Sequence, residues 1–200
     1  MRTWLVMSAA NPPPSSISRY PVPDLADLPD DIRARIEAVS ERSGFVPNVF
    51  LALAHRPDEF RAFMAYHDAL MERDSGLTKA EREMIVVVTS SANHCLYCVV
   101  AHGAILRIRA KDPQIADQVA IDWRSADLDE RGRAICEAAT VLATTPAEFD
   151  EQHRARLSAA GLSEEDIWDL GAITALFALS NRMAHLTGMR PNTEFYSMGR

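Results

Sequence analysis

Proline placement constrains this chain more than any other feature. Six of the eleven prolines fall between Pro12 and Pro29. None occurs from Asp58 to Asp112, and only Pro113 and Pro146 interrupt the stretch from there to Arg190. Inside a helix, proline removes a backbone hydrogen bond and clashes with the preceding turn. The pattern predicts an extended N-terminal arm over residues 1–29 and a single helical domain over residues 30–200. No segment shows the sustained alternation of a strand, so the predicted fold class is all-α.

Apolar period and capping residues place the helices. They are expected over Asp30–Arg42, Pro47–Ala54, Pro57 to about Arg73, from the capping box Thr78-Lys-Ala-Glu81, from near Cys95 to Ala110, and from Pro113 to Trp123. Three more are expected over Leu128–Leu142, Ala147–Ala160 and Ser163 to about Leu186. Gly76-Leu-Thr-Lys-Ala-Glu and Gly161-Leu-Ser-Glu-Glu-Asp echo one another as a C-cap glycine followed by a capped helix. The echo is either a duplication or the shared chemistry of helix starts.

Charge and composition narrow the function. The net charge of −7 argues against an electrostatic nucleic-acid or anionic-membrane binder. No apolar run reaches the roughly 20 residues of a membrane span, and residues 1–7 are too short for a signal-peptide core. A cytoplasmic protein is expected, and there a pair of close cysteines is redox-active or metal-binding rather than structural.

Three cysteines make no disulfide scaffold, but their spacing carries chemistry. Cys95, Cys98 and His102 stand at i, i+3 and i+7, on one helical stripe. A helix beginning near Asn93 or His94 puts both thiols in its first turn, where free N–H groups and the helix dipole favour thiolate. Were residues 83–102 one straight helix, Glu83 would lie about 18 Å from Cys95. Ser90 to Asn93 form a natural break, with Asn93 tolerant of left-handed geometry. A helical hairpin about that break pairs Glu83 with His102, giving a carboxylate that orients an imidazole base beside the thiols.

Zinc is the rival reading, since His94, Cys95, Cys98, His102 and Glu83 offer ligands. Against it, one ligand pair alone has finger-like spacing, with no second Cys-x-x-Cys and no His-x-x-x-His. Neither a metal nor a cofactor is expected. Tyr97 either hydrogen-bonds in the pocket or packs, and His94 either tunes the thiols or stands exposed. Cys136 reads as a small buried residue, Trp123 and Trp168 as packing anchors, and His67 and His185 as core or interface residues.

Glu83, Cys95, Cys98 and His102, with the segments Gly44–Phe50, Asn181-Arg-Met-Ala and Arg190–Phe195, resemble the AhpD-like alkylhydroperoxidase group of the carboxymuconolactone decarboxylase superfamily, in its peroxidase-related branch. The likeness covers roughly residues 23–195. AhpD proper has His where this chain has Tyr97, which bears on substrate and reductant but leaves the four core positions in place. The resemblance implies a multi-helix bundle and a homo-oligomer (dimer, trimer or hexamer). It also implies a thiol peroxidase that reduces small hydroperoxides and is recharged by an external dithiol reductant, thioredoxin-like or lipoyl-type. Proximity to His102 makes Cys98 the expected attacker. The reverse order, with Cys95 attacking, follows thioredoxin-type logic. The alternative function is a catalytically silent, lactone-binding or ligand-binding member of the superfamily. The apolar helix Ile167–Leu186 and the proline-rich arm, which has little of its own chain to cover, add to the expectation of self-association.

Overall fold

A computed structural model of the chain describes residues 17–200, so much of the expected arm, residues 1–16, lies outside the described residues. Among the described residues there are helices and no strands. In chain order they are α1 (Asp30–Ser43), α2 (Asn48–Leu53), α3 (Pro57–Met71), α4 (Lys79–Ala92), α5 (Leu96–Ala110), α6 (Ile115–Asp122), α7 (Glu130–Thr144), α8 (Glu151–Ala159) and α9 (Glu164–Thr187).

The centre of the bundle is α4, which packs on α5, α7, α9 and α6. Its sequence explains why. Met84 to Val88 is an unbroken apolar run, and all five residues are buried; a helix apolar on most faces must be covered on most faces. Thr78 accepts from the Glu81 backbone N–H and Glu81 reaches back to Thr78 N–H (2.7 Å), so the capping box forms as the sequence predicts. Ile135, Leu157, Leu170 and Ile173 fill the space opposite α4. Arg82 and Asp169 form a buried ion pair in this core (2.9 Å), joined by Arg73. A second apolar cluster gathers Cys95, Tyr97 and Cys98 with Ala184, Met189 and Phe195.

Three local expectations differ from the structure. The expected helix Ala147–Ala160 is a 3-10 turn at Pro146–Glu148 followed by α8, because Asp150 accepts hydrogen bonds from Gln152 and His153 N–H and starts a helix of its own. Gly161 is a left-handed glycine (φ +83°) as expected, whereas Gly76 has no positive φ and is not a C-cap. A Cβ on Gly76 would lie 2.3 Å from the Asp166 carboxylate, so close approach is what requires glycine there. Trp168 is 73% exposed and anchors nothing, while Trp123 packs against the core.

Residues 17–28 lie on their own chain. Leu28 is buried with Ile32 and Ile36, Ile17 packs on the thiol cluster, and Arg19 N–H donates to Thr187 O (2.7 Å). The C-terminal tail is tied down equally firmly. Arg107 donates to the carbonyls of Phe195 and Met198 (2.9 Å each). Asn192 accepts from Asn48 N–H (2.8 Å) and donates to Val46 O (2.9 Å). No helix among the described residues is long and apolar enough to cross a membrane.

Candidate functional site

The chain turns from α4 into α5 through Asn93 and His94. The residue in the left-handed region is His94 (φ +53°), and Asn93 lies at φ −90°; α4 continues through Ser90, Ser91 and Ala92, so the break falls at Asn93 and His94, later than the expected Ser90 to Asn93 and with a different geometry. Asn93 instead uses its side chain to donate to Thr89 O (2.9 Å). The helix then starts at Leu96, later than the expected Asn93 or His94, so the two thiols do not share its first turn. Cys95 is its N-cap in extended geometry (φ −85°, ψ 97°), and Cys98 sits in the first turn.

Both thiols are free and buried, each about 1% exposed. They differ in environment. The Cys95 sulfur is held down to about 6 because the Cys98 thiol donates to it, against the opposing effect of burial, with further help from the Cys98 backbone N–H, the charge of His185 and the Asn181 side chain. The Cys98 thiol is pushed well above its ordinary value because it gives that hydrogen bond to Cys95 and is buried. Of the two sulfurs, Cys95 is the one held low and Cys98 the one pushed up. Cys95 also lines a cavity of about 250 Å³ with His94, Tyr97, His185 and Arg190 among its walls, while Cys98 lies behind it.

Glu83 and His102 meet. His102 Nδ1 donates to Glu83 Oε2 (2.7 Å), with both side chains largely buried. This fixes the tautomer that leaves Nε2 as the free, basic nitrogen. Phe177 stands edge-on to the imidazole at 4.7 Å and holds its plane. His67 also stands against the Phe177 ring, at 6.2 Å, and burial holds its imidazole below the ordinary value. Cys98 Sγ meets Ser180 Oγ at 3.9 Å.

Tyr97 does both things left open by the sequence. Its ring is buried, and its hydroxyl accepts from Val49 N–H (3.0 Å). Burial pushes its hydroxyl far above the usual tyrosine range. His94 is exposed and forms part of the cavity rim. Cys136 is fully buried in the main core, where burial pushes its thiol up to about 12.

Residue reading alone misses Asn181 and His185. Asn181 is fully buried and donates to Ser90 Oγ (3.0 Å), while its Oδ1 has no hydrogen-bond partner. Its side chain serves both sulfurs. His185 Nε2 donates to Asn93 O (3.0 Å), which places the ring over the α4–α5 turn. Both come from α9, more than 80 residues along the chain. The available signal for Asn181 was its motif, Asn181-Arg-Met-Ala. For His185 it was its place at i+4 from Asn181 on the same helix. The three flanking motifs converge here as well: Val49 on Tyr97, Asn181 on the thiols, and Phe195 edge-on to Phe45 at 5.0 Å. Among the described residues no three His, Cys, Asp or Glu side chains are arranged to hold a metal ion.

Fold and site together define an α-helical protein with a Cys-x-x-Cys pair at a helix start and a Glu–His pair one turn further along. The pattern of the carboxymuconolactone decarboxylase family matches residues 57–140. An uncharacterised peroxidase-related protein from Ralstonia eutropha JMP134, with an alkylhydroperoxidase AhpD core, is 62% identical, covers 96% of this chain and 98% of its own, and superposes with a TM-score of 0.91. A peroxidase-related protein from Silicibacter sp. TM1040 is 38% identical over 96% of this chain and 100% of its own, with a TM-score of 0.88. The debrominase Bmp8, bound to 2,3,4-tribromopyrrole, shares the fold at 21% identity over 88% of this chain and 93% of its own, with a TM-score of 0.76. No curated protein matches the chain. The chain belongs to the AhpD-like, peroxidase-related group of the carboxymuconolactone decarboxylase family.

Proposed function

We propose that this protein is a thiol-dependent peroxidase that reduces small hydroperoxides through Cys95 and Cys98, with Cys95 as the attacking thiolate. The observation that carries the reading is the unequal dithiol: a sulfur lowered to about 6 on a cavity wall, with a protonated thiol directly behind it. Thiolate character and access together set susceptibility to oxidation.

The Cys95 thiolate attacks the terminal oxygen of the hydroperoxide. The O–O bond breaks, the alkoxide takes a proton and leaves as alcohol, and Cys95 becomes a sulfenic acid. Cys98 then attacks the Cys95 sulfur, water leaves, and a disulfide forms. His102, oriented by Glu83, takes the Cys98 proton in this second step. An external dithiol, thioredoxin-like or lipoyl-type, attacks the cavity-facing Cys95 sulfur and is itself oxidised, while Cys98 leaves and is reprotonated. His102, one turn along α5 from Cys98, therefore serves the resolving thiol rather than the attacking one. The other expected partner is a second copy of this chain.

Peroxide consumption with a dithiol donor tests the reading. Cys95→Ser loses turnover and forms no sulfenate. Cys98→Ser still forms the Cys95 sulfenate but does not turn over. Glu83→Gln keeps a hydrogen bond to His102 and loses about 10- to 100-fold in turnover. Equal rates in wild type and both cysteine variants would favour the binding reading, a ligand-holding member of the family without redox turnover. Sulfenate forming at full rate on Cys98 in Cys95→Ser would restore the opposite order.

A further inference from the structure

The surface around Cys95 carries charge of the opposite sign to the molecule. The chain is acidic, at −7 overall, yet the cavity wall holds Arg19, Arg190, His94 and His185 and no carboxylate. Neither arginine forms an ion pair among the described residues. Residues 1–16 contain no Asp or Glu, so the rest of the chain has no side-chain carboxylate to offer them. The structure brings these two cations from opposite ends of the sequence. Arg19 is held by its N–H on Thr187 O (2.7 Å), and its guanidinium lies along Gly188, donating to Leu186 O (3.4 Å). A Cβ on Gly188 would come within 3.0 Å of that side chain. Arg190 is fixed through its carbonyl, which accepts from Asn48 Nδ2 (2.8 Å), leaving its guanidinium without a protein partner among the described residues.

We infer that the Cys95 cavity takes a small hydroperoxide bearing a carboxylate. The carboxylate is met by Arg19 and Arg190, and the O–O bond is presented to the Cys95 sulfur. A cavity of about 250 Å³ lies below the roughly 300–1,000 Å³ of sites for drug-sized ligands, which favours a compact acid. Arginine is the side chain whose planar fork matches a carboxylate. The covalent step is that of the proposed peroxidase: Cys95 is oxidised to the sulfenic acid and the peroxide carboxylate is reduced to the hydroxy carboxylate. The oxygen chemistry rests on that reading, whereas the charge selectivity does not.

The first measurement needs no turnover. Cys95 is alkylated at low salt with iodoacetate and with iodoacetamide, which differ by one negative charge, and modification is read by peptide mass spectrometry. The ratio of the two rates cancels any change in thiolate content. The wild-type ratio is expected to fall about threefold to tenfold in Arg19→Gln and Arg190→Gln, to recover in Arg190→Lys, and to shrink with added salt. A ratio unchanged in both glutamine variants would overturn the proposal. The second measurement compares cumene hydroperoxide with its para-carboxylate, and mercaptoethanol with mercaptosuccinate as reductant. Preference for the carboxylate peroxide, lost in the arginine variants, supports the assignment. Charge selectivity confined to the reductant would overturn the assignment to the peroxide. A protein that consumes neither peroxide but keeps the alkylation ratio would retain the anion cavity and lose the peroxidase reading.

Discussion

At the scale of single residues, two cysteines three positions apart are shifted in opposite directions, Cys95 down and Cys98 up. Burial opposes the charge on both sulfurs and cannot by itself lower Cys95. Direction of hydrogen bonding does: one proton between two sulfurs stabilises the thiolate that accepts it and the thiol that gives it. The Cys98 backbone N–H, in the first turn of α5, adds to the lowering at Cys95. Because the Cys95 thiol is lowered from 9.0 to about 6, its thiolate is present throughout neutral pH and is lost as pH falls through that value. Iodoacetamide labelling of Cys95 is expected to rise with pH to a plateau with a midpoint near 6, while Cys98 stays unlabelled until far more alkaline pH. Cys95 labelling with a midpoint near 9 would contradict the assignment. The Glu83–His102 contact was legible because helical spacing and a break between α4 and α5 determine that these two can meet. Asn181 and His185 were not, since nothing local to α9 says that its last turns reach the Cys95 helix start.

At the scale of elements, the sequence signals that worked were those with local causes. Thr78 and Ser163 begin α4 and α9 through capping boxes that the side-chain chemistry of four residues specifies. The element that escaped prediction was the break before α8, where Asp150 competes with helix continuation in a way that helix period does not register. Gly76 escaped for a different reason. Its backbone is unremarkable in conformation, and its need for glycine comes from Asp166, 90 residues on. Asp166 has two tasks there. Its Oδ2 accepts from Ser163 N–H (3.0 Å) and Ser163 Oγ (2.7 Å), closing the cap of α9. The Gly76→Ala methyl would overlap that carboxylate and push it off the cap. Losing a cap of this kind costs about 0.5–2 kcal/mol, and a chain of this size loses about 2–4 °C in Tm per kcal/mol. Gly76→Ala is expected to melt several degrees below wild type in a calorimetric scan, with Cys95 labelling unchanged below the transition. An unaltered Tm would mean that Asp166 can move without cost.

At the scale of the whole molecule, the length and apolar character of α9 led to the expectation that it is buried, and one chain meets only part of that demand. Ile167, Leu170, Ile173, Leu176 and Phe177 are buried against α4 and α7, but Leu179 and Leu186 are more than half exposed. They border an apolar groove of about 580 Å³ between α3 and α9, with Tyr20, Phe63, Tyr66 and Met183 in its walls. Monomeric proteins seldom leave a contiguous apolar patch of that kind open to water. The groove shares no wall residue with the Cys95 cavity, although Arg19 of the cavity reaches Leu186 O at the groove's edge. We expect sedimentation at micromolar concentration to give a particle that is a multiple of 22.2 kDa. Leu179→Glu with Leu186→Glu places charges in the centre of the contact and is expected to shift the particle to the monomer mass. The Cys95 labelling midpoint should then stay where it was, because the thiolate is set by groups within one chain. A wild-type protein sedimenting at 22.2 kDa would show that the exposed flank of α9 is tolerated in water, and a labelling midpoint that moved on dissociation would show that the neighbouring copy helps to set the acidity of Cys95.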